Sequence, residues 1–320
     1  MKIGVFTVLF GDKPFEETLD YVKSLGLEAV ELGTGAYPGD AHCRPGELLG
    51  DEKKLKAFRE AIDRRGLTIS ALSCHGNPIH PDQKLAKSHD AVFRQTVELA
   101  AKLGVPQVIT FSGCPGGDPD AKQPNWITAC WPTEYPEMLD WQWKERVVPY
   151  WKDTAAFLKK HGVRVAIEMH PNFVVYHPES MLRLADVSRG TIGCNFDPSH
   201  MFWQQVDVPT AIRALGELIF HVHAKDCRID EQNRMVNGVL DTKKYTEEIR
   251  RSWIFRTVGY GNPESVWRDL VSNLRLVGYD HVISIEHEDS LMTGDEGLKK
   301  AIALLKNVVI SAPAGAAYWA

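Results

Sequence analysis

The chain has 320 residues, 44% of them hydrophobic and 25% charged, enough apolar material for a large core. A formal net charge of −5 with no basic block disfavours nucleic acid as the main partner. The six scattered cysteines form no CxxC pair, which argues against a zinc ribbon or redox dithiol and fits reduced thiols in the cytoplasm.

The N-terminus is briefly apolar until Gly11, Asp12 and Pro14 break it, too short for a signal peptide or membrane span. It reads as a first strand over 2–8. Residues 14–25 place Phe15, Leu19, Val22 and Leu25 at helical spacing, with Gly26 as a stop. A second strand follows over 27–32, a helix over 53–65 and a third strand over 67–74. A long helix over 82–103 closes on Gly104, and the fourth strand covers 107–111. Further on, a helix over 144–161 precedes a fifth strand over 163–169. A helix over 178–187 precedes the sixth strand, 192–196, and one over 209–215 the seventh, 219–224. The last helix–strand pair is 264–277 and 281–285, and a final helix covers 295–309. Eight strand–helix units in alternation imply parallel pairing and close naturally into one α/β barrel, a (β/α)8 or TIM barrel over residues 1–320. A doubly wound open sheet is the competing arrangement.

Two connections are long, 112–143 after the fourth strand and 227–262 after the seventh. In a barrel both lie over the mouth that carries function. The first holds Trp126, Trp131, Trp141 and Trp143, which either stack on sugar rings or anchor the loop. The apolar tail from Ala312 to Ala320, with Tyr318 and Trp319, docks either on the barrel or on a second copy in a homo-oligomer.

Four apolar runs end on acid or imidazole: Val165-Ala166-Ile167-Glu168-Met169-His170, Ile192-Gly193-Cys194-Asn195-Phe196-Asp197-Pro198-Ser199-His200, Ile219-Phe220-His221-Val222-His223-Ala224-Lys225-Asp226, and Val282-Ile283-Ser284-Ile285-Glu286-His287-Glu288-Asp289. Such groups are costly to bury unless paired or bound to metal. Strand alternation puts Glu168 with His170, His221 with His223 and Lys225, and Ser284 with Glu286 and Glu288. In a barrel Glu168, Asp197, His223 and Glu286 then meet. Three carboxylates and one imidazole make a hard site suited to a divalent cation, Mn²⁺ ahead of Mg²⁺, Co²⁺ or Zn²⁺.

In this order and spacing the chain resembles the xylose-isomerase-like TIM barrels, a group of sugar isomerases, epimerases, dehydratases and endonuclease-IV-like nucleases. The carriers are the Glu168 strand end, Asp197-Pro198-Ser199-His200, His221-Val222-His223-Ala224-Lys225-Asp226 and Ser284-Ile285-Glu286-His287. The resemblance implies that Glu168, Asp197, His223 and Glu286 bind metal and that His200 contacts a substrate hydroxyl. It places Arg228 near a substrate-binding arginine of related epimerases, one residue short of the usual spacing. Ketose 3-epimerases of the group carry a second acid about six residues beyond the strand-five Glu; here that position is Val174, and His170 shares the face of Glu168 instead.

The implied chemistry is proton abstraction next to a carbonyl, with Glu168, Glu286 or His170 as acid and base. His170 is either that base or a group that orients Glu168. Lys225 either neutralises an oxyanion or pairs with Asp226. His75 either binds substrate hydroxyls or caps its loop, His221 packs inside the barrel, and Glu31 is a weaker candidate. Trp131 is a candidate wall for a sugar substrate. These residues point to a metal-dependent sugar isomerase or epimerase. The alternatives are a lyase or dehydratase on a keto-sugar or 3-keto-glycoside, an endonuclease-IV-like nuclease and a non-catalytic barrel. No membrane partner is expected.

Overall fold

Eight parallel strands close into a barrel in this computed structural model, which describes residues 1–313, 315–317 and 319. The strands are β1 (Lys2–Phe6), β2 (Ala29–Gly33), β3 (Thr68–Ser73), β4 (Gln107–Phe111), β5 (Arg164–Glu168), β6 (Ile192–Phe196), β7 (Ile219–Ala224) and, after a two-stranded excursion, β10 (Val282–Ile285). Around the barrel they run β1, β10, β7, β6, β5, β4, β3, β2. The excursion is an antiparallel pair, β8 (Asp226–Ile229) and β9 (Trp253–Arg256). The (β/α)8 expectation therefore holds. Tyr318, expected to dock as part of the apolar tail, lies outside the described residues.

The helices begin and end where side-chain chemistry provides partners for their free backbone groups. Asp51 caps Glu52–Asp63 by accepting from the backbone of Lys53 and Lys54, and Asp82 caps Gln83–Leu103 in the same way. Gly104 and Gly162 end their helices at φ +71° and +66°, a conformation glycine adopts without a Cβ penalty. Four α-helices among the described residues lie where no helix was expected: Pro45–Gly50, Glu134–Trp141, Pro198–Trp203 and Glu231–Asn237. The segment Gln142–Val147, where the helix over 144–161 was expected to begin, is π-helical. No helix among the described residues is long and apolar enough to cross a membrane.

Inside the barrel the polarity is split along the strands. Ala71, Ile109, Ala166 and Phe220 form a small apolar cluster. Phe220 is the extra residue where the β6–β7 register shifts, Cys194 facing Ile219 and Asn195 facing His221. The irregularity lets both Phe220 and His221 turn inward, which strict alternation forbids. Gly193 makes room for the ring: a Cβ there would meet Phe220 at 2.4 Å and the Leu218 carbonyl at 2.5 Å. A second shift, between Val30 and Glu31 against β3, aims Glu31 into the same interior. Beyond these residues, toward the C-terminal strand ends, the lining becomes acidic and imidazole-rich.

Candidate active site

Each of the four converging groups sits at a strand end. Glu168 is the last residue of β5, and Asp197 follows β6 directly. His223 lies near the end of β7, and Glu286 follows β10. One ligand atom from each lies within 4.8 Å of the other three. Ligands at 2.0–2.6 Å from one ion are at most roughly 4–5 Å apart, so the set fits a single cation. The triads Glu31–His221–His223 and Glu168–His170–His200 meet the same distance.

Asp197 supports the fit from its own hydrogen bonds. Its Oδ1 accepts from the backbone N–H of Ser199 at 2.8 Å and caps Pro198–Trp203. Its Oδ2 is buried and makes no well-formed hydrogen bond among the described residues, although Lys225 Nζ lies 3.1 Å away. A buried carboxylate oxygen held only by charge, with Lys225 Nζ at 3.1 Å and His200 Nε2 at 3.3 Å, keeps lone pairs that a cation could take.

Neighbours orient the other three. His75 Nε2 and Asn195 Nδ2 both donate to Glu168 Oε2, each at 2.9 Å. Glu31 Oε1 and Oε2 lie 3.0 and 3.1 Å from His223 Nε2, and Ser73 donates to Glu31 at 2.5 Å. A carboxylate on one imidazole nitrogen fixes the ring and leaves the other nitrogen for a cation. That other nitrogen, His223 Nδ1, faces Glu286 at 3.0 Å and Glu168 at 3.3 Å. Lys225 Nζ joins Glu286 at 2.8 Å and Glu288 at 3.2 Å.

Charge follows from this packing. Burial would raise the Glu168 carboxyl, but His75, His200 and His223 hold it well below the usual range. Burial likewise opposes ionisation of Glu31, yet His223, His221 and Ser73 bring it to about 2. Burial disfavours the charged forms of His223 and Lys225. The surrounding carboxylates outweigh it and push both well above their ordinary values.

A cavity of about 310 Å³ opens above these groups, lined by His75, Phe111, Glu168, His170, Lys225 and Glu286, with Phe6 and Tyr37 on its apolar side. His170 Nδ1 lies 2.7 Å from the Pro171 carbonyl. A carbonyl only accepts, so Nδ1 carries the proton and Nε2 keeps its lone pair. Burial, with His200 beside it, pushes the His170 imidazole down to about 3, so it is neutral at neutral pH. Its ring centroid lies 4.3 Å from that of His200, which is fully buried 3.3 Å from Asp197 and 3.4 Å from Glu168.

Several sequence expectations land elsewhere. Lys225 pairs with Asp197, Glu286 and Glu288, not with Asp226. Adjacent strand residues point to opposite faces, and Asp226 turns away to organise the Gly259–Asn262 turn. Arg228 points outward on β8, with its guanidinium near the Gly261 carbonyl at 3.4 Å, and does not line the mouth cavity. Trp131 is 76% exposed and also outside that cavity. His75 binds Glu168 rather than capping its loop. His221 does pack inside, its Nδ1 3.0 Å from Asn195 Oδ1.

One site residue was given no role in the sequence reading. Asn195 shares a strand face with Asp197, a signal that was available. Glu288 was placed on the Glu286 face, but its ion pair with Lys225 depends on how the chain leaves β10. Glu31 is more central than its isolated position in β2 indicated. Val174, where ketose 3-epimerases carry an acid, is buried against a separate cavity.

The chain is 38% identical to the uncharacterized protein YfiH of Bacillus subtilis (strain 168) over 97% of this chain and 99% of that one. Its fold is similar to 3-keto-D-glucoside 4-epimerase YcjR from E. coli, with TM-score 0.65, 14% identity, and 96% and 99% of the two chains covered. It is also similar to the probable 3-DHS dehydratase AsbF from Bacillus anthracis, with TM-score 0.65, 18% identity, and 96% and 99% covered. The profile of the xylose isomerase-like TIM barrel matches residues 19–308. On that match and the YfiH identity, the chain belongs to the xylose isomerase-like TIM barrel family.

Proposed function

We propose that this protein is a divalent-metal-dependent epimerase or isomerase of a small sugar or related polyol. Glu168, Asp197, His223 and Glu286 hold the cation in this reading. The observation that carries it is the meeting of these four groups within 4.8 Å beside a cavity of about 310 Å³. The hard donor set favours Mn²⁺, then Mg²⁺, Co²⁺ or Zn²⁺. The reaction named for YcjR, a keto-glucoside epimerisation, supports the substrate class. The carboxylates of Glu286 and Glu288 at the mouth oppose a phosphodiester backbone.

The chemical roles follow from the contacts. A bound cation supplies electrostatic stabilisation of the charge that develops on a carbonyl oxygen as the adjacent carbon loses its proton. His75 and Asn195 keep the Glu168 carboxylate in one orientation. Glu31 fixes the His223 ring. His170, with Nδ1–H on the Pro171 carbonyl, offers Nε2 as proton acceptor at the cavity wall. Glu286, which accepts from the Lys225 ammonium at 2.8 Å, would pass that proton to the other face of the carbon, with Lys225 regaining one from solvent. Return to the same carbon gives epimerisation; return to its neighbour gives aldose–ketose isomerisation.

His170 also favours a second reading. With a β-leaving group on the substrate, the same abstraction ends in elimination, as in a dehydratase or 3-keto-glycoside lyase. One assay separates the two. In D₂O the Mn²⁺-loaded protein should interconvert free ketoses and leave deuterium on the carbon next to the carbonyl. Aglycone release from a 3-keto-glucoside without ketose interconversion would overturn the epimerase reading in favour of the lyase.

The site also predicts how cation binding depends on pH. Surrounded by Glu31, Glu168 and Glu286, His223 is an imidazolium in the metal-free protein at neutral pH. Its Nδ1 proton must leave before that nitrogen can hold a cation. Affinity should therefore rise about tenfold per pH unit while His223 stays protonated, then level off. Calorimetry in buffers of different ionisation enthalpy should count about one proton released per ion. Affinity that does not change with pH would show that His223 is not a ligand.

A further inference from the structure

The mouth cavity is two-sided, and strand order is the reason. Around the barrel β1, β2, β3 and β4 are consecutive, and β5, β6, β7 and β10 complete the ring. The second arc supplies every carboxylate and the one lysine of the lining: Glu168 ends β5, Lys225 follows β7, and Glu286 and Glu288 follow β10. The first arc supplies Phe6 at the end of β1 with Val8 beyond it, Tyr37 and Pro38 after β2, and Phe111 at the end of β4. Its one other lining residue, His75, is turned to the opposite arc, with Nε2 2.9 Å from Glu168. Val8 and Tyr37 keep 37% and 57% exposure, so this apolar wall is open to a ligand.

The turn that presents Tyr37 is strained. Ala36 sits at φ +57°, a left-handed conformation that a residue with a Cβ adopts at a cost, and such residues gather at ligand clamps. The Tyr37 N–H donates to the His75 carbonyl at 2.9 Å, and the ring stands edge-on to His89 at 5.1 Å. Both contacts fix Tyr37 at the rim.

Charge decides what this wall can meet. No arginine lines the cavity among the described residues. Its lysine is already engaged, with Nζ 3.1 Å from Asp197, 2.8 Å from Glu286 and 3.2 Å from Glu288. Four carboxylates, Glu168, Asp197, Glu286 and Glu288, outnumber Lys225 and a bound divalent cation together by one charge. A phosphate on the far end of a substrate would add about −1.5 to −2 charges with no free cation to pair with. It would also leave water for an apolar wall, at a cost nothing there offsets.

Resting on the epimerase reading above, we propose that the substrate is an uncharged sugar whose end far from the cation bears no phosphate or carboxylate. The carbonyl end lies on the arc of β5 to β10. The far end lays its C–H faces against Val8, Tyr37 and Phe111, where dispersion contacts with the rings replace water.

The test is saturation-transfer NMR on the full chain loaded with Mg²⁺, which is diamagnetic. The probes are D-fructose, 6-deoxy-D-fructose and D-fructose 6-phosphate. The first two should bind within about threefold of each other, and the 6-phosphate at least about tenfold more weakly. Tyr37→Arg puts a cation on the wall at an exposed position. It should strengthen 6-phosphate binding at least about fivefold without strengthening D-fructose binding, with the melting temperature as the folding control. A 6-phosphate that binds as tightly as D-fructose would overturn the assignment. So would a 6-deoxy sugar about tenfold weaker than D-fructose, an unchanged 6-phosphate affinity in Tyr37→Arg, or no transfer from any probe in protein that holds Mg²⁺. Failure to hold Mg²⁺ in calorimetry, or no deuterium incorporation with any ketose, sinks the epimerase reading itself. Tight 6-phosphate binding with both of those intact sinks only the uncharged substrate.

Discussion

Glu168→Gln is expected to lose the divalent cation and to lower turnover by about 10²–10⁴-fold. The substitution keeps the shape but removes one of three carboxylate charges from the set with Asp197, His223 and Glu286. His75 and Asn195 can still donate to the amide oxygen, which leaves the NH₂ group to face the centre. A donor there repels a cation. His170→Gln should differ in kind. It lies on the cavity wall with its ring held by the Pro171 carbonyl, so turnover should fall by a similar factor of about 10²–10⁴ while the cation is retained. Metal analysis by mass spectrometry alongside turnover separates the two effects. Cation loss in His170→Gln would make His170 a residue that orients Glu168. Full turnover in Glu168→Gln would refute the site.

The largest stability effect is expected at Asp226. This buried carboxylate accepts six hydrogen bonds: from the backbone of Cys227, Gly259, Gly261 and Asn262, from the Asn262 side chain and from the Trp267 indole. Asp226→Ala leaves those donors in a space with no acceptor. The cost should be about 3–5 kcal/mol, since the penalty for stranded buried donors is only partly relieved by relaxation. For a chain of this size that lowers the melting temperature by roughly 5–7 °C. Asp226→Asn keeps one oxygen and should cost less. The effect also reaches the mouth. Asp226 starts β8, which pairs with β9, and Phe255 of β9 lies 5.6 Å from the His200 ring and 4.8 Å from Lys225 Nζ. Differential scanning calorimetry checks the stability; an unchanged melting temperature would show that the Gly259–Asn262 turn does not depend on this carboxylate.

Where periodicity was strong the sequence was legible to the residue. The runs at 107–111, 192–196 and 219–224 are the strands β4, β6 and β7. They are short, apolar and closed by polar residues, and the barrel buries them on both sides. The missed helices lacked such a signal. Pro45–Gly50 is barely longer than one turn, and Glu134–Trp141 has Pro136 inside it and buries no residue. Pro198–Trp203 was hidden because its opening residues were read only as a ligand motif. The meeting of Glu168, Asp197, His223 and Glu286 could be anticipated because strand alternation is a local rule. Glu31 was read only as a weaker candidate and Phe220 not at all, because their inward aim comes from register shifts that only the paired strands create. The expected Lys225–Asp226 pair overlooked the same alternation that placed His223 correctly.

The central claim is that one cation sits among Glu168, Asp197, His223 and Glu286, and anomalous diffraction from a Mn²⁺-soaked crystal tests it most directly. The predicted result is a single Mn²⁺ peak per chain at bonding distance, about 2.0–2.6 Å, from all four ligand atoms, with Glu31 still bound to the far nitrogen of His223. A peak between Glu31, His221 and His223, or no peak at the strand ends, would contradict it.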